Sequence, residues 1–201
     1  MTQNILLIAP QPFYQDRGTP IAIKELCYAL ESLDVEITLL CLLEGEDIPL
    51  PRNVILKRAT YPKFLFNLKP GFSWKKVLVD LYLIKEASKL IQQNNYDLLV
   101  AVEEAAIFSA IFFGNRIPLL VDMDSDITEQ MTNANGFWKP FKPVLDVIYS
   151  IPFSKCISVK AVCKELCYTA IRLGAKQCYL LEDCAETFRE PNFIDPDLKR
   201  M

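Results

Sequence analysis

The sequence predicts an α/β fold, in which a mostly parallel sheet of about seven strands is covered by helices on both faces. Two observations carry this prediction. Short apolar, β-branched runs alternate along the chain with longer stretches whose apolar residues recur at helical spacing. The chain has 201 residues, of which 51% are hydrophobic. That suffices for one large core and is short for two full domains, so we expect a single domain.

The apolar runs have the length and composition of buried strands. The predicted strands are Ile5–Ala9, Val35–Leu42, Val54–Arg58, Leu98–Val102, Leu119–Met123, Cys156–Lys160 and Cys178–Leu181. The helices predicted between them are Pro20–Ser32, Trp74–Gln93, Glu103–Phe113, Phe141–Ile151 and Ala161–Leu173. Gly174 is expected to follow the last helix as its C′ residue, because glycine tolerates a positive φ.

Two stretches are irregular and rich in Pro, Phe, Lys and Asn, which is typical of loops. They are Pro49–Phe72 and Thr132–Pro143. From Arg189 onward the chain is polar and interrupted by proline. We therefore expect a domain over residues 1–188 and a linker over residues 189–201.

The charge pattern narrows the classes of partner. The net charge is -3, and the 22 basic residues are scattered along the chain. Nucleic-acid-binding domains concentrate basic residues, so nucleic acid is not an expected partner. The N-terminus lacks the basic start and the cleavage site of a signal peptide, and charged residues or proline interrupt every apolar run. We expect a cytoplasmic protein without a membrane-spanning helix.

The counts of cysteine and histidine limit the chemistry. Seven cysteines without secretory features are expected to be reduced, and their spacing matches no familiar zinc site. The chain has no histidine, which is the usual general base and the commonest metal ligand. No metal and no cofactor are therefore expected, and chemistry must depend on carboxylates, lysines or a partner.

The loop after the first predicted strand has features of an anion site. Ligands of open parallel sheets bind beyond the carboxyl ends of the strands, and this loop ends in Arg17-Gly18-Thr19-Pro20 before a helix. Gly18 would let an anion approach free backbone N–H groups, and the guanidinium group of Arg17 would add positive charge and hydrogen-bond donors. The Thr19 hydroxyl would cap the helix. The alternative is a well-capped helix with a solvated arginine. The loop is not a G-x-G-x-x-G motif, so a dinucleotide is not implied.

Carboxylates follow the fourth predicted strand as Glu103 and Glu104. In the first turn of a helix, carboxylates are stabilised by the helix dipole, and this alone explains them. The functional alternative is that one of them accepts hydrogen bonds from hydroxyl groups of a substrate.

Three aspartates, Asp122, Asp124 and Asp126, stand at alternate positions at the end of the fifth predicted strand and in the loop after it. A calcium-binding EF-hand loop requires glycine where Ile127 stands and glutamate where Asn133 stands, so calcium is not expected. The segment around Asp122 and Asp124 resembles the nucleophile motif of haloacid-dehalogenase-like phosphatases, in which the first Asp attacks phosphorus and the second is acid and base. That motif normally lies on the first strand of its domain, which makes a magnesium-dependent phosphatase a minor alternative.

Several segments together resemble the group 1 (glycogen-synthase-like) glycosyltransferases. The first runs from Ile5 to Ile21 and reads Ile-Leu-Leu-Ile-Ala-Pro-x-Pro-Phe-x-x-x-Arg-Gly-Thr-Pro-Ile. The others are Tyr-Asp-Leu-Leu-Val-Ala-Val-Glu-Glu from Tyr96 and Val-Asp-Met-Asp-Ser-Asp-Ile-Thr-Glu from Val121. The similarity covers nearly the whole chain, and the order of the segments is more specific than any one of them.

The resemblance implies the GT-B architecture, in which two Rossmann-like domains face each other across a cleft. It implies that this chain is the N-terminal domain, which binds a glycan or lipid-linked acceptor. Gly18 and Thr19 would lie near the donor phosphates, and Glu103, Glu104 and residues 122–126 would face the acceptor. The C-terminal domain of the family carries a Glu-x7-Glu motif and binds the nucleotide sugar. The expected partner is therefore that domain or a separately encoded half, and the chain alone is expected to be inactive.

The family usually has Gly-His where this chain has Asp34-Val35, and a position in the candidate site departs as well. Asp124 stands where related chains commonly have a histidine close to the transferred sugar, so Asp124 is the candidate catalytic residue, with a different charge and reach. A non-catalytic module that binds a glycan, a lipid or a protein partner is the alternative function.

Aromatic and cationic residues are mixed in residues 61–76 and again in residues 137–142. Such segments suit a membrane interface, where rings lie at headgroup depth and lysines meet anionic lipid. The alternative is that these are ordinary loops whose aromatic rings fold onto the core. We expect peripheral contact with the inner face of an anionic membrane through these two segments.

Overall fold

The computed structural model describes residues 2–68, 73–134 and 136–182. Within them the strands form one sheet in the order β3-β2-β1-β4-β5-β6-β7, and every pair of neighbours is parallel. The strands are β1 (Gln3–Pro12), β2 (Val35–Leu42), β3 (Val54–Ala59), β4 (Leu98–Val102), β5 (Leu119–Met123), β6 (Ser158–Ala161) and β7 (Cys178–Leu180). The predicted fold class is confirmed.

Helices connect these strands and cover both faces of the sheet. They are α1 (Gly18–Ala29), α2 (Trp74–Gln93), α3 (Ala105–Phe112), α4 (Ile127–Ala134), α5 (Lys142–Lys155) and α6 (Lys164–Arg172). Two short 3-10 helices, Lys63–Leu65 and Gly136–Phe141, precede α2 and α5. No helix among the described residues is both long and apolar enough to cross a lipid bilayer.

The alternation of side chains along β1 shows how the sheet separates two apolar layers. Leu6 and Ile8 belong to the cluster that includes residues of α2, α3, α5 and α6, whereas Ile5 and Leu7 belong to the cluster that includes residues of α1. Because the strand is covered on both faces, it is apolar at successive positions and does not alternate with polar residues.

Two of the helix starts that differ from the prediction change the position of candidate site residues. α1 begins at Gly18, its N-cap residue is Arg17, and no side chain caps it. The predicted Thr19 cap is therefore wrong, because Thr19 already lies inside the first turn. α3 begins at Ala105 with Glu104 as its N-cap residue. Glu103 and Glu104 thus precede the helix and are not part of its first turn.

Helix α4 was not predicted, because its sequence is polar and was assigned to the acidic loop and to an irregular stretch. A capping signal was present. Asp126 precedes the helix, and its carboxylate accepts hydrogen bonds from the backbone N–H of Glu129 (3.0 Å) and the hydroxyl of Thr128 (2.8 Å). An Asp three residues before a Glu is a typical start of a helix.

The predicted role of Gly174 is confirmed. Its φ is +107°, and its N–H donates to the carbonyl of Ile171, while that of Ala175 donates to the carbonyl of Ala170. This pair of hydrogen bonds is the Schellman motif, which ends α6. The boundary predicted at residue 188 and the linker over 189–201 lie outside the described residues.

Candidate functional site

The topology places one crevice at the carboxyl edge of the sheet. β1 has β2 on one side and β4 on the other, so the chain leaves β1 towards one end of the sheet and leaves β4 towards the opposite end. The loops after these strands separate there, and ligands of open α/β sheets bind at this switch point. The loops after β1, β4 and β5 carry the residues singled out by the sequence.

Glu103 lies at the switch point and bridges three strand ends. Its carboxylate accepts a hydrogen bond from Gln11 Nε2 (2.8 Å) on β1 and one from Ser125 Oγ (3.3 Å) after β5. Its own N–H donates to the carbonyl of Asp122 (3.0 Å). Its φ is +48°, a conformation that is strained for a residue with a side chain and is found most often at functional sites.

The surroundings of Glu103 make its carboxyl group protonatable near neutral pH. Burial raises its pKa to about 7, the nearby carboxylates of Glu104 and Asp124 raise it as well, and the hydrogen bonds from Gln11 and Ser125 oppose the rise. A carboxyl group with such a pKa can both accept and release a proton under physiological conditions.

Glu104 is held by a lysine from α2. Lys76 Nζ lies 2.5 Å from Glu104 Oε1 and 3.5 Å from Asp80 Oδ1, and it donates to the carbonyl of Pro10 at 2.6 Å. Burial lowers the pKa of Lys76, but Glu104 and Asp80 raise it, and the net direction is upward. Burial raises the pKa of Asp80 to about 7, Lys76 opposes this, and Glu104 adds to it. Lys76 therefore ties α2 to the ends of β1 and β4.

A second partly buried lysine pairs with aspartates at the end of β5 and just after it. Lys160 Nζ lies 2.9 Å from Asp122 Oδ1 and 3.8 Å from Asp124 Oδ1. Asp122 is only 2% exposed. Its pKa is raised by burial, lowered by Lys160 and raised again by Asp124. Asp122 is thus buried at the end of β5, and Asp124 lies in the loop that follows.

The rest of the acidic loop is fixed from both sides. Tyr149 of α5 donates from its hydroxyl to the carbonyl of Ser125 (3.3 Å), and burial together with Asp126 and Glu103 raises the pKa of Tyr149. Asp126 holds the start of α4. The capping contacts explain Asp126 structurally, and its predicted contact with a substrate stays a prediction.

The start of α1 lies at the same edge of the sheet, because α1 follows the carboxyl end of β1. Arg17 and Gly18 are exposed and Thr19 is half-buried. The first N–H groups of a helix have no partner within it, so those of Gly18 and Thr19 point out of the helix end. A Cβ at Gly18 would meet no atom within 4 Å, which leaves room for a ligand.

The loop after β1 is clamped against the loop after β2. The backbones of Tyr14 and Glu46 exchange two hydrogen bonds of 2.9 Å. The guanidinium of Arg58 donates to the carbonyls of Phe13, Glu44 and Glu46, and it pairs with Asp47 at 2.9 Å. The loop that leads to Arg17 is therefore held in one position.

Sequence reasoning missed Gln11, Lys76, Asp80 and Lys160. Lys76 lies 66 residues from Pro10, whose carbonyl it contacts, and no local pattern predicts such a contact. Lys160 had a signal, since a charged residue in a strand predicted to be covered on both faces needs a buried partner.

Among the described residues, no group of three or more His, Cys, Asp or Glu residues has the arrangement of a metal site.

No protein-family model and no curated protein matches this sequence. Solved structures do match. A sucrose-phosphate synthase from Thermosynechococcus elongatus aligns with a TM-score of 0.66 and 12% identity, over 90% of this chain and 48% of the synthase chain. A second structure of that synthase aligns with a TM-score of 0.63 and 11% identity, over 92% and 91% of the two chains. UGT2 from Phytolacca americana, solved with UDP-2fluoro-glucose and pterostilbene, aligns with a TM-score of 0.60 and 13% identity, over 93% and 55%.

These neighbours are GT-B glycosyltransferases. The chain has a Rossmann-like α/β fold that matches these GT-B neighbours. At this level of identity the likeness concerns the fold. The chain spans about half the length of the first synthase chain and of UGT2. A Rossmann-like domain of this kind is what the sequence resemblance implied.

Proposed function

We propose that this chain is the acceptor-side half of a glycosyltransferase, which moves a sugar from a nucleotide-sugar donor to a glycan or a lipid-linked acceptor. The observation that carries the proposal is Glu103. This carboxylate is aligned by Gln11 and Ser125 at the switch point of a GT-B fold, and its pKa is about 7.

Glu103 would bind the acceptor through a hydroxyl group. In its ionised form, the carboxylate accepts a hydrogen bond from the hydroxyl and can take up the proton as the oxygen attacks. Lys76 keeps Glu104 in place beside it. Asp124 is proposed to face the transferred sugar. Its charge acts on Glu103, and Lys160 lies 3.8 Å away from it.

The start of α1 would contact the donor phosphates when the cleft is closed. The N–H groups of Gly18 and Thr19 and the guanidinium of Arg17 are donors of the kind that bind phosphate at a helix N-terminus. The nucleotide sugar itself would be bound by a second, donor-binding half. Without that half, we expect the 201-residue chain to release no UDP or GDP from UDP-glucose or GDP-mannose.

Saturation-transfer NMR tests the acceptor site. The probes are p-nitrophenyl glycosides of glucose, galactose, mannose and N-acetylglucosamine. We expect at least one to bind, to bind more tightly as the pH rises through about 7, and to bind about tenfold more weakly to Glu103→Gln. Glu36→Gln, which changes an exposed glutamate of β2, is the control and should bind as the wild type does. Equal binding by both variants would refute the role of Glu103.

A non-catalytic binding module is the second candidate. It is favoured by Asp124, which stands where related chains commonly have a histidine and lies near the cation of Lys160. Such a module would bind the sugar probes and would not support transfer when a donor-binding half is added.

The phosphatase alternative does not fit, because a nucleophile must reach its substrate, whereas Asp122 is buried and paired with Lys160. Magnesium-dependent cleavage of p-nitrophenyl phosphate that is lost in Asp122→Asn would contradict this.

A further inference from the structure

Three neighbouring helices on one face of the sheet expose large apolar side chains. α2, α3 and α5 bury residues in the same core cluster, and α3 contacts both α2 and α5. Because each helix buries its inner side against the sheet, the outer sides share one surface. We call this surface the outer helical face, and its exposed apolar residues include Trp74, Leu78, Leu81, Phe112, Val144 and Val147.

The exposed side chains of α2 recur at helical spacing. Trp74, Leu78, Leu81 and Lys85 recur at intervals of four, three and four residues, so they form one stripe along α2. Trp74 is 64% exposed. Isolated exposed apolar residues are normal, but contiguous ones on adjacent helices are typical of an interaction site.

The charges around this face are mostly positive, although the chain as a whole has a net charge of -3. The acids beside the stripes of α2 and α5 are Glu86 and Asp146, and each is within ion-pair distance of a lysine, at 2.8 Å and 3.2 Å. Further lysines belong to these helices or to the 3-10 helices before them, namely Lys63, Lys75, Lys85, Lys139 and Lys155. The face therefore complements a negatively charged partner.

We propose that the outer helical face docks on an anionic lipid surface. Tryptophan favours the level of the lipid headgroups, leucine and valine favour the acyl boundary below it, and lysines are attracted by lipid phosphates. Phe64 lies at the same end of the face, because Lys75 Nζ donates to its carbonyl at 3.3 Å, and its ring is exposed. A lipid surface is broad enough to contact exposed apolar residues on all three helices at once.

Docking in this way would place the candidate site beside the lipid. α2 begins at Trp74, and two residues later Lys76 contacts the end of β1 and Glu104. The apolar stripe thus starts at the carboxyl edge of the sheet. The proposal does not depend on sugar transfer, since a binding module with this surface would dock as well.

The structure also sorts the residues of the two segments predicted to meet a membrane. Phe64, Trp74 and Phe141 are exposed, as a membrane contact needs, whereas Tyr61 is buried and Phe66 packs against the core. Residues 69–72 lie outside the described residues. Most of the exposed apolar residues of α2 and α5 lie beyond those segments, because helical spacing and not the local mixture of aromatic and cationic residues places them together.

Co-sedimentation with vesicles tests the proposal on the purified chain. Vesicles of phosphatidylcholine mixed with phosphatidylglycerol should bind the protein, vesicles of phosphatidylcholine alone should bind it much less, and added salt should weaken binding. The double variant Trp74→Ser, Leu81→Ser should bind at least about tenfold more weakly, because it removes two apolar side chains that would be buried in the lipid. Both residues are exposed, so circular dichroism should be unchanged.

Leu33→Ser is the matched control, because Leu33 is an exposed leucine in the turn between α1 and β2, away from the outer helical face. It should bind vesicles as the wild type does. The proposal fails if the wild type does not bind anionic vesicles, or if the double variant and the control bind equally well. It also fails if light scattering shows a dimer that the double variant abolishes while vesicle binding is absent, since the face would then dock a second copy.

Discussion

Asp122 and Lys160 are directly opposite each other on the neighbouring strands β5 and β6, and their closest N–O distance is 2.9 Å. The pair is buried beneath the loop that carries Asp124. A buried charge is tolerated when its partner is present and is costly when the partner is removed.

We therefore expect Lys160→Met to lower the free energy of unfolding by about 3 kcal/mol, as measured by urea denaturation. The loss should be greater at pH 8 than at pH 5, because the isolated Asp122 carboxyl can be protonated at the lower pH. Adding Asp122→Asn to Lys160→Met should restore part of the stability. A double variant no more stable than Lys160→Met would contradict the pairing.

Glu103→Gln should change how stability depends on pH. The pKa of Glu103 is raised from 4.5 to about 7 in the folded chain, so its contribution is fully present below about pH 4.5 and is lost as the pH rises to about 7. Glutamine is neutral and does not lose this contribution. The variant should therefore gain stability relative to the wild type across this window, on the order of 2 kcal/mol above pH 7. Parallel stability curves for the two proteins would contradict the raised pKa.

Lys76→Met should destabilise the chain by about 2 kcal/mol, because it leaves the partly buried carboxylates of Glu104 and Asp80 without their cation. The control is Lys89→Met, which breaks a solvent-exposed pair with Glu86. Exposed pairs contribute little, so this change should cost less than about 0.5 kcal/mol. Urea denaturation measures both, and equal losses would show that Lys76 is not the link between α2 and the site.

Gly45→Ala should be strongly destabilising. The φ of Gly45 is +121°, and a Cβ would lie too close to the carbonyl of Phe13, in the clamp that holds the loop after β1. We expect a loss of about 2 kcal/mol or more in thermal or urea unfolding. Gly18→Ala is the control. It meets no atom within 4 Å at the start of α1 and should leave stability within about 0.5 kcal/mol of the wild type.

The strands and the fold class could be predicted from the sequence, because strands that are buried on both faces have continuous apolar sequences. The sequence also placed Glu103 directly after a strand and Asp122 within one, as the structure does, whereas their contact with a substrate stays a prediction. It was not sufficient for Lys76 and Lys160, whose partners are distant along the chain and are brought together only by the parallel strand order. Helix α4 was missed because a polar helix lacks an apolar stripe, so only its capping residue, Asp126, indicates it.

In the proposed function, this chain binds the acceptor sugar, and another domain binds the nucleotide. Saturation-transfer NMR with an equimolar mixture of UDP, GDP and the four p-nitrophenyl glycosides tests it in one sample. We expect saturation of the sugar protons of at least one glycoside, weakened in Glu103→Gln, and little or none of the ribose and base protons. Saturation of a nucleotide without saturation of any glycoside would contradict the acceptor-side role, because the chain would then be acting as a donor-binding half.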